Sequence, residues 1–303
     1  MRISKKNSDV VCKAARLKFQ CIKASVGSYS VSMMCRVLNV SGTGYYSWLR
    51  RPESGRSKAN VRLVEIIEKV HAGSRKTYGS PRVHAALMGL GETCGKSRVA
   101  RLMHKNGIRA KTKKKFRVTT DSKHKLPVAD NILERDFSVG PRQKAFAGDI
   151  TYLWTGEGWL YLAVVMQLAT RKIVGWAMKE SMDRSLVIDA LKMAARRAHI
   201  DVGAIFHSDR GSQYASEDHR TVHDIFGFTQ SMSRKGNCWD NGAIESFFGT
   251  LKTEHIFFEN FATRDQAVSN VFEWIECFYN RTRIHSTLGY VTPEEYERQL
   301  LAA

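Results

Sequence analysis

Between Phe146 and Met178 the chain carries three runs rich in aromatic and β-branched residues, Phe146 to Trp154, Trp159 to Met166 and Lys172 to Met178. The first two are separated only by Thr155-Gly-Glu-Gly158, a hairpin turn by composition. Strands joined by so short a connection pair antiparallel, because a parallel pair needs a crossover of about a dozen residues or more. The chain is therefore committed to a meander, and its later segments must cover that sheet. A helix over Asp183 to Ala198, with Leu186, Ala190 and Ala194 on one stripe, comes next, then a short strand, Gly203 to His207, and further helices. The last long helix opens on Thr263-x-x-Gln266, a capping box, ahead of Val268, Val271, Phe272 and Ile275 at helical spacing. This alternation predicts an α/β layer, a mixed sheet flanked by helices.

Upstream the period is helical. Val31, Met34, Cys35 and Leu38 mark one short helix, and Tyr45, Trp48 and Leu49 begin another after Asn39 to Gly44, the minimum for a helix-turn-helix. A second group is better specified: Leu63, Ile66, Ile67 and Val70, then Val83, Ala86, Leu87 and Leu90, then Val99, Leu102 and Met103. Ser80 before Pro81 reads as an N-cap, Ser97 as the cap of the third helix, and Gly107 as the left-handed residue that closes it. The resulting division is an N-terminal helical region with a candidate helix-turn-helix over 1–55 and a basic helix-turn-helix-like domain over 56–118. A connector over 119–143, with Pro127 and Pro141 and no sustained period, leads to the α/β core with its C-terminal helices over 144–297.

Charge follows that division. Of the formal +19, residues 1–120 carry 27 Lys+Arg against 5 Asp+Glu, net +22, while residues 121–303 carry 21 against 24, net −3. A basic module joined to a nearly neutral one points to a polyanion, with nucleic acid the leading partner. The predicted DNA contacts are Arg82, then Lys96, Arg98, Arg101 and Lys105 on the third helix, then Lys111, Lys113, Lys114 and Lys115 in the strip after it. No run of about 18 apolar residues occurs, and the N-terminal stretch lacks the apolar core of an export signal, so a cytoplasmic protein without membrane partners is expected. The six cysteines form no C-x-x-C pair, which argues against a zinc ribbon or a disulfide framework.

Three carboxylates are hard to explain structurally. Asp149 lies inside the first apolar run, where a lone charge is costly. Asp209 comes after the strand Ala204-Ile-Phe-His-Ser at its carboxyl end, where α/β proteins tend to place ligands. Glu245 sits in a predicted helix, Asp240-Asn-Gly-Ala-Ile-Glu-Ser-Phe-Phe-Gly-Thr-Leu-Lys252, with Asp240 a plausible N-cap. Carboxylates gathered from two strands and a helix repel one another unless hard cations with oxygen ligands, two Mg²⁺ or Mn²⁺ ions, compensate them. A pair of such ions about 4 Å apart activates an attacking oxygen and stabilises the leaving oxygen at phosphorus. An ordinary cap or surface charge is the competing reading for each carboxylate alone.

The interval of 35 residues between Asp209 and Glu245 lies among the words Gly148-Asp-Ile-Thr-Tyr152, His207-Ser-Asp-Arg-Gly-Ser-Gln-Tyr214 and Trp239-Asp-Asn-Gly-Ala-Ile-Glu-Ser-Phe-Phe248. These resemble the catalytic signatures of the retroviral-integrase superfamily, and more narrowly the downstream reading-frame product of bacterial insertion-sequence transposases. Tyr78-Gly-Ser-Pro-Arg82 and the segment Tyr279-Asn-Arg-Thr-Arg-Ile-His-Ser-Thr-Leu-Gly-Tyr-Val-Thr-Pro293 fit that group too. The resemblance spans roughly residues 30–297. It implies an RNase H-like integrase core with Asp149, Asp209 and Glu245 as catalytic, metal-binding residues. The implied activity is that of a polynucleotidyl transferase of a mobile element, cutting phosphodiesters at element ends and joining them to target DNA, that is, DNA transposition, integration and recombination.

Lys252 shares a helical face with Glu245, and in resembling integrases a basic residue here contacts terminal DNA. A salt-bridged surface lysine is the alternative. Asn241 is read as orienting the carboxylate, meeting a phosphate or capping the helix. His207 is taken as structural. Gln167 stands where resembling transposases commonly have a further aspartate, outside the metal-binding trio. Implied partners are terminal-repeat and target DNA, a homo-oligomer on DNA and an upstream-frame partner or fusion, with nucleoid association during action. A DNA-binding repressor or domesticated scaffold, and an RNase H-type nuclease without strand transfer, are the competing functions.

Overall fold

A computed structural model describes residues 15–111, 129–133, 145–198, 200–234 and 241–302. The chain divides into two compact units, Met1–Leu63 and Val64–Ala303. In the first, α1 (Ala15–Ala24), α2 (Val31–Val37) and α3 (Gly42–Arg50) enclose a small core of Ile22, Cys35, Leu38 and Tyr45. Ser30 Oγ accepts from Met33 N (3.4 Å) and Ser41 Oγ from Gly44 N (3.3 Å), so α2 and α3 each start on a serine cap. The sequence has the second helix contain or border Gly42 and Gly44, and the Ser41 cap draws both into the first turn of α3. A Cβ on Gly44 would lie 3.3 Å from the Phe19 ring, so the missing side chain lets that ring pack there.

Helix α4 (Gly55–Gly73) runs from the first unit into the second, followed by α5 (Ser80–Gly89) and α6 (Lys96–Lys105). The N-caps of α5 and α6 are Gly79 and Gly95, with no side-chain capping bond, which corrects the assignment of Ser80 and Ser97. Pro81 belongs in the first turn, where its missing N–H costs nothing, and this moves the start of α5 back. Gly107 takes the expected left-handed conformation, φ 68°.

Strands β1 (Ala145–Thr155), β2 (Gly158–Gln167) and β3 (Ile173–Lys179) form the predicted antiparallel meander, turning at Gly156 and Glu157. β4 (Ala204–Ser208) pairs parallel with β1, and β5 (Phe228–Met232) parallel with β4, giving a mixed five-stranded sheet in the order β3-β2-β1-β4-β5. One face, with Phe146, Val165 and Phe206, packs on α7 (Arg184–Arg197) and α8 (Glu217–Phe226). A Cβ on Gly175 of β3 would fall 2.2 Å from the Ala190 carbonyl oxygen, so glycine is what lets α7 lie so close. The other face, with Ala147, Leu162 and Val164, packs on α9 (Gly242–Glu254) and α10 (Arg264–Glu273), the latter continuing as a wide π-turn, Trp274–Tyr279. A terminal helix, α11, covers Pro293–Ala302.

The capping box is half realised: Thr263 Oγ1 accepts from Gln266 N (3.2 Å), while Gln266 Oε1 takes the Ala262 N–H (2.8 Å). Of the connector, residues 129–133 lie along β5, where Ser231 Oγ accepts from Ile132 N and Leu133 N. Asp240, Lys113, Lys114 and Lys115 lie outside the described residues, and the N-cap position of α9 belongs to Asn241.

Candidate active site

The parallel ladder between β1 and β4 ends on the pair Gly148 and Ser208, so the next residues are Asp149, still within β1, and Asp209, just past the end of β4, on neighbouring strands. Such strands are about 4.8 Å apart, which sets two carboxylates against each other by backbone register alone. Gly148 is needed here: a Cβ would lie 2.4 Å from Phe206 Cζ and 3.3 Å from the Tyr214 ring. The aromatic floor under the carboxylates thus rises to the β1 backbone. Asp149 Oδ1 accepts the Ile150 N–H (2.7 Å), and Asp209 Oδ1 the Gly211 N–H (2.9 Å).

Helix α9 packs on β1 and carries an exposed Glu245 in its first turn, with Lys252 half-buried two turns on. Burial, then Asp209 and Glu245, push the Asp149 carboxyl up to about 8, against the Ile150 hydrogen bond and Lys252. Tyr214, buried beneath, is raised by burial and by both aspartates. The Lys252 ammonium lies 5.1 Å from the centre of the Tyr152 ring; burial lowers its pKa and Asp149 opposes that. The sequence-predicted trio and Lys252 therefore act on one point from two strands and a helix. Among the described residues no three His, Cys, Asp or Glu side chains gather at metal-holding distance. The donors at Asp149 are all oxygen and their repulsion is only partly offset, a set whose chemistry fits a hard divalent cation.

Asn241 is buried, its side chain caps nothing, and its Oδ1 finds no hydrogen-bond partner among the described residues. His207 Nδ1 pairs with Ser231 Oγ (2.9 Å) within the core. Gln167 Oε1 accepts from Thr170 Oγ1 (2.8 Å), tied into the β2–β3 turn. On α6, Val99, Leu102 and Met103 are buried while Lys96, Arg101 and Lys105 are exposed and Arg98 half-exposed, a basic outer face on an apolar stripe. Lys111 lies over the Phe258 ring (4.0 Å).

An integrase core domain family matches residues 142–238 and again 226–293, and an HTH-like domain family matches 58–116. The chain is 41% identical over 289 residues to the transposase InsF for insertion sequence IS3A of Escherichia coli K12, covering 94% of this chain and 100% of that protein. The chain belongs to the IS3-family transposases. A 31 kDa insertion element IS600 protein of Shigella sonnei is 44% identical over 266 residues, 88% of this chain and 98% of that one. A simian T-cell lymphotropic virus intasome in complex with PP2A regulatory subunit B56 gamma aligns at TM-score 0.44 with 16% identity, over 76% of this chain and 73% of that chain. The family matches and the relatives make the protein a transposase with an integrase core and a helix-turn-helix-like domain, an enzyme of the polynucleotidyl-transferase kind. No described helix is long and apolar enough to cross a membrane.

The transposase also brings together residues that the sequence does not connect. Arg283 forks onto Glu254 (Nε–Oε2 2.8 Å, Nη2–Oε1 2.7 Å), and Arg82 reaches the same carboxylate at 3.4 Å. Tyr78 Oη accepts from Ile284 N (2.8 Å) and donates to the Thr282 carbonyl (3.1 Å). Arg82, predicted as a DNA contact of the helical domain, is thus engaged with α9 of the core. Their one sequence signal was the pair of words Tyr78 to Arg82 and Tyr279 to Pro293, which these contacts join.

Proposed function

We propose that Asp149, Asp209 and Glu245 are the catalytic carboxylates of the transposase, holding two Mg²⁺ or Mn²⁺ ions for cleavage and strand transfer at the ends of its own element. The observation that carries this is the in-register placement of Asp149 and Asp209, with Glu245 acting on the same carboxyl. When bound, the ions supply Lewis-acid activation of the attacking and leaving oxygens of an in-line displacement.

The chain's own residues do the positioning. The rigid β1–β4 ladder holds the two aspartates, the Gly211 N–H orients Asp209, and α9 presents Glu245. Lys252, next to Asp149 and resting on Tyr152, grips a phosphate of terminal DNA. The outer face of α6, with Lys96, Arg98, Arg101 and Lys105, holds the duplex, and Lys111 with Lys113, Lys114 and Lys115 extends that grip. In the first reaction water attacks phosphorus and the P–O3′ bond breaks to free a 3′-hydroxyl. In the second that hydroxyl forms a new P–O bond as the O3′ of the target leaves. Two element ends call for a homo-oligomer on DNA, and an upstream-frame protein supplies a further partner or fusion. Action on the chromosome places the protein in the cytoplasm at the nucleoid.

The test is incubation of the purified chain with Mn²⁺ and labelled terminal-repeat DNA beside Glu245→Gln. Joined products lost in Glu245→Gln are expected. Cleavage without joining would make it a nuclease, and binding without either a scaffold.

A further inference from the structure

A cleft of about 330 Å³ opens beside α9, lined by Arg82, Arg171 and Arg283 and by the hydroxyl side chains Ser246, Thr250 and Ser286 among others. That volume is at the lower end of what ligand sites occupy. We propose that this cleft is a second phosphate-binding site of the transposase, taking a phosphodiester of the DNA backbone on the flank of the helix that carries Glu245. The proposal rests on the transposase reading and extends it to a part of the chain to which that chemistry assigns no role.

Charge balance is the first support. Glu254 is shared by Arg283 and Arg82 and neutralises one of them, and Arg171 makes no ion pair among the described residues. Two positive charges are left in a half-buried cleft. Guanidinium groups cannot shed a proton near neutral pH, so the remedy for that charge is an anion.

Convergence is the second. His285 also lines the cleft, and it is depressed to about 3 by burial and then by Arg283, Arg82 and Arg171, so all three cations act on one point. Arg171 is held there with φ 61°, a conformation costly for a residue with a side chain. The surrounding side chains are ordered to keep the forks in place. Tyr78 Oη bridges to Thr282 and Ile284, and Asn280 closes both backbone groups of Ile173 at 3.0 Å, two residues from Arg171.

Position is the third. Gly242, Ser246 and Thr250 recur every four residues on α9, and Ser246 follows Glu245 at about 100° around the helix, so the cleft lies on the next flank from the carboxylates. Three planar donors with hydroxyls suit a phosphate's oxygens. A backbone phosphate held here fixes the strand against α9 while the scissile one meets the carboxylates.

The experiment uses the full chain, in chelator so that no chemistry is required. It measures affinity for a duplex carrying the element end and for an unrelated duplex of the same length, across a salt series. Arg171→Gln, which leaves the Arg283–Glu254 pair intact, and Ser286→Glu, at the exposed mouth, are compared with the wild type. Expected is an affinity loss of about tenfold for both duplexes in both variants, a salt slope lower by about one in Arg171→Gln, and an unchanged melting temperature. Unchanged affinity and slope in either folded variant overturns the proposal. So does protection of the wild type from melting by inorganic phosphate, lost in Arg171→Gln, with DNA affinity unmoved, which would assign the cleft to free phosphate. A protein that holds DNA through Arg171 yet neither cuts nor joins it keeps the cleft and loses the catalytic reading. One that cuts and joins, with Arg171→Gln binding as the wild type does, has the opposite outcome.

Discussion

Helix α9 separates two sites of opposite sign. On one flank, Asp209 and Glu245 act on the buried Asp149 carboxyl; on the next, Arg82, Arg171 and Arg283 act on His285. Burial works against charge on both, but the responses differ. A carboxyl can take a proton, and Asp149 is pushed up to about 8, so the acidic flank can relax without a counter-ion. A guanidinium has no such exit, and the basic flank is stabilised internally by Glu254 alone among the described residues. Burial of like charges is therefore relieved by protonation on the acidic flank and by a salt bridge on the basic one.

The sharpest way to break this contrast is at the acidic flank. Asp149→Asn or Glu245→Gln is expected to lower cleavage and joining by about three orders of magnitude or more, while DNA affinity in chelator stays within about twofold. Loss of binding in parallel with activity would show that the carboxylates do not form a separate chemical site. Removing the carboxyl that its neighbours oppose is also expected to raise the melting temperature of Asp149→Asn above the wild type in chelator, with Mg²⁺ closing the gap.

At the basic flank the order reverses, and stability suffers first. Arg283 and Glu254 are both nearly inaccessible, so Glu254→Gln strands a buried guanidinium and is expected to cost about 3–5 kcal/mol by urea unfolding. A cost below about 1 kcal/mol would mean that the pair is dispensable and that the two flanks are alike.

A third handle is acid. His219 and His223 are held down to about 4 and about 3 by burial, and His285 to about 3 by burial and the arginines. Their folded pKa values lie below the unfolded value of about 6.5, so the unfolded chain binds more protons in between. The stabilisation is complete above about pH 6.5 and is lost as pH falls toward 4 and then 3. Each histidine is expected to contribute a few kcal/mol to that loss, and His223→Phe should flatten part of the fall in melting temperature between about pH 6.5 and 4. An unaltered pH profile in that variant would rule the residue out as a contributor.

The smallest expected effect is at Lys252, which rests on the Tyr152 ring beside Asp149. Lys252→Ala should weaken terminal-DNA binding several-fold with the melting temperature unchanged; unaltered binding and joining would leave it a surface lysine.

Much of this architecture was legible in the residues. The meander came from strand runs separated by only four or five residues, because connections that short leave only the antiparallel pairing open, and it is present over β1 to β3. The helical period of 63–103 was equally direct, since a stripe such as Val99, Leu102 and Met103 has one face to bury. Caps were less so: Ser80 and Ser97 have the right chemistry, but Pro81 and the backbone path put glycines at the cap positions. Asp149 could be singled out because a carboxylate in an apolar run needs a reason, Asp209 because it follows the carboxyl end of a strand, and Glu245 because its interval and surrounding words resemble a known signature.

The arginine cleft was far less legible. Arg82 was expected to meet DNA from the helical domain and Arg283 lay in a recognisable word, but Arg171 reads as one more basic residue in a chain with 48 Lys+Arg, and nothing local joins the three. The sequence alone determined the meander, the basic helical domain and the three acidic positions, because periodicity and the cost of burying charge act locally. Which of its cations became trapped, and that they surround one cleft beside α9, was decided by tertiary packing. Burial and the distance between charges are properties of the folded chain, and no local pattern encodes them.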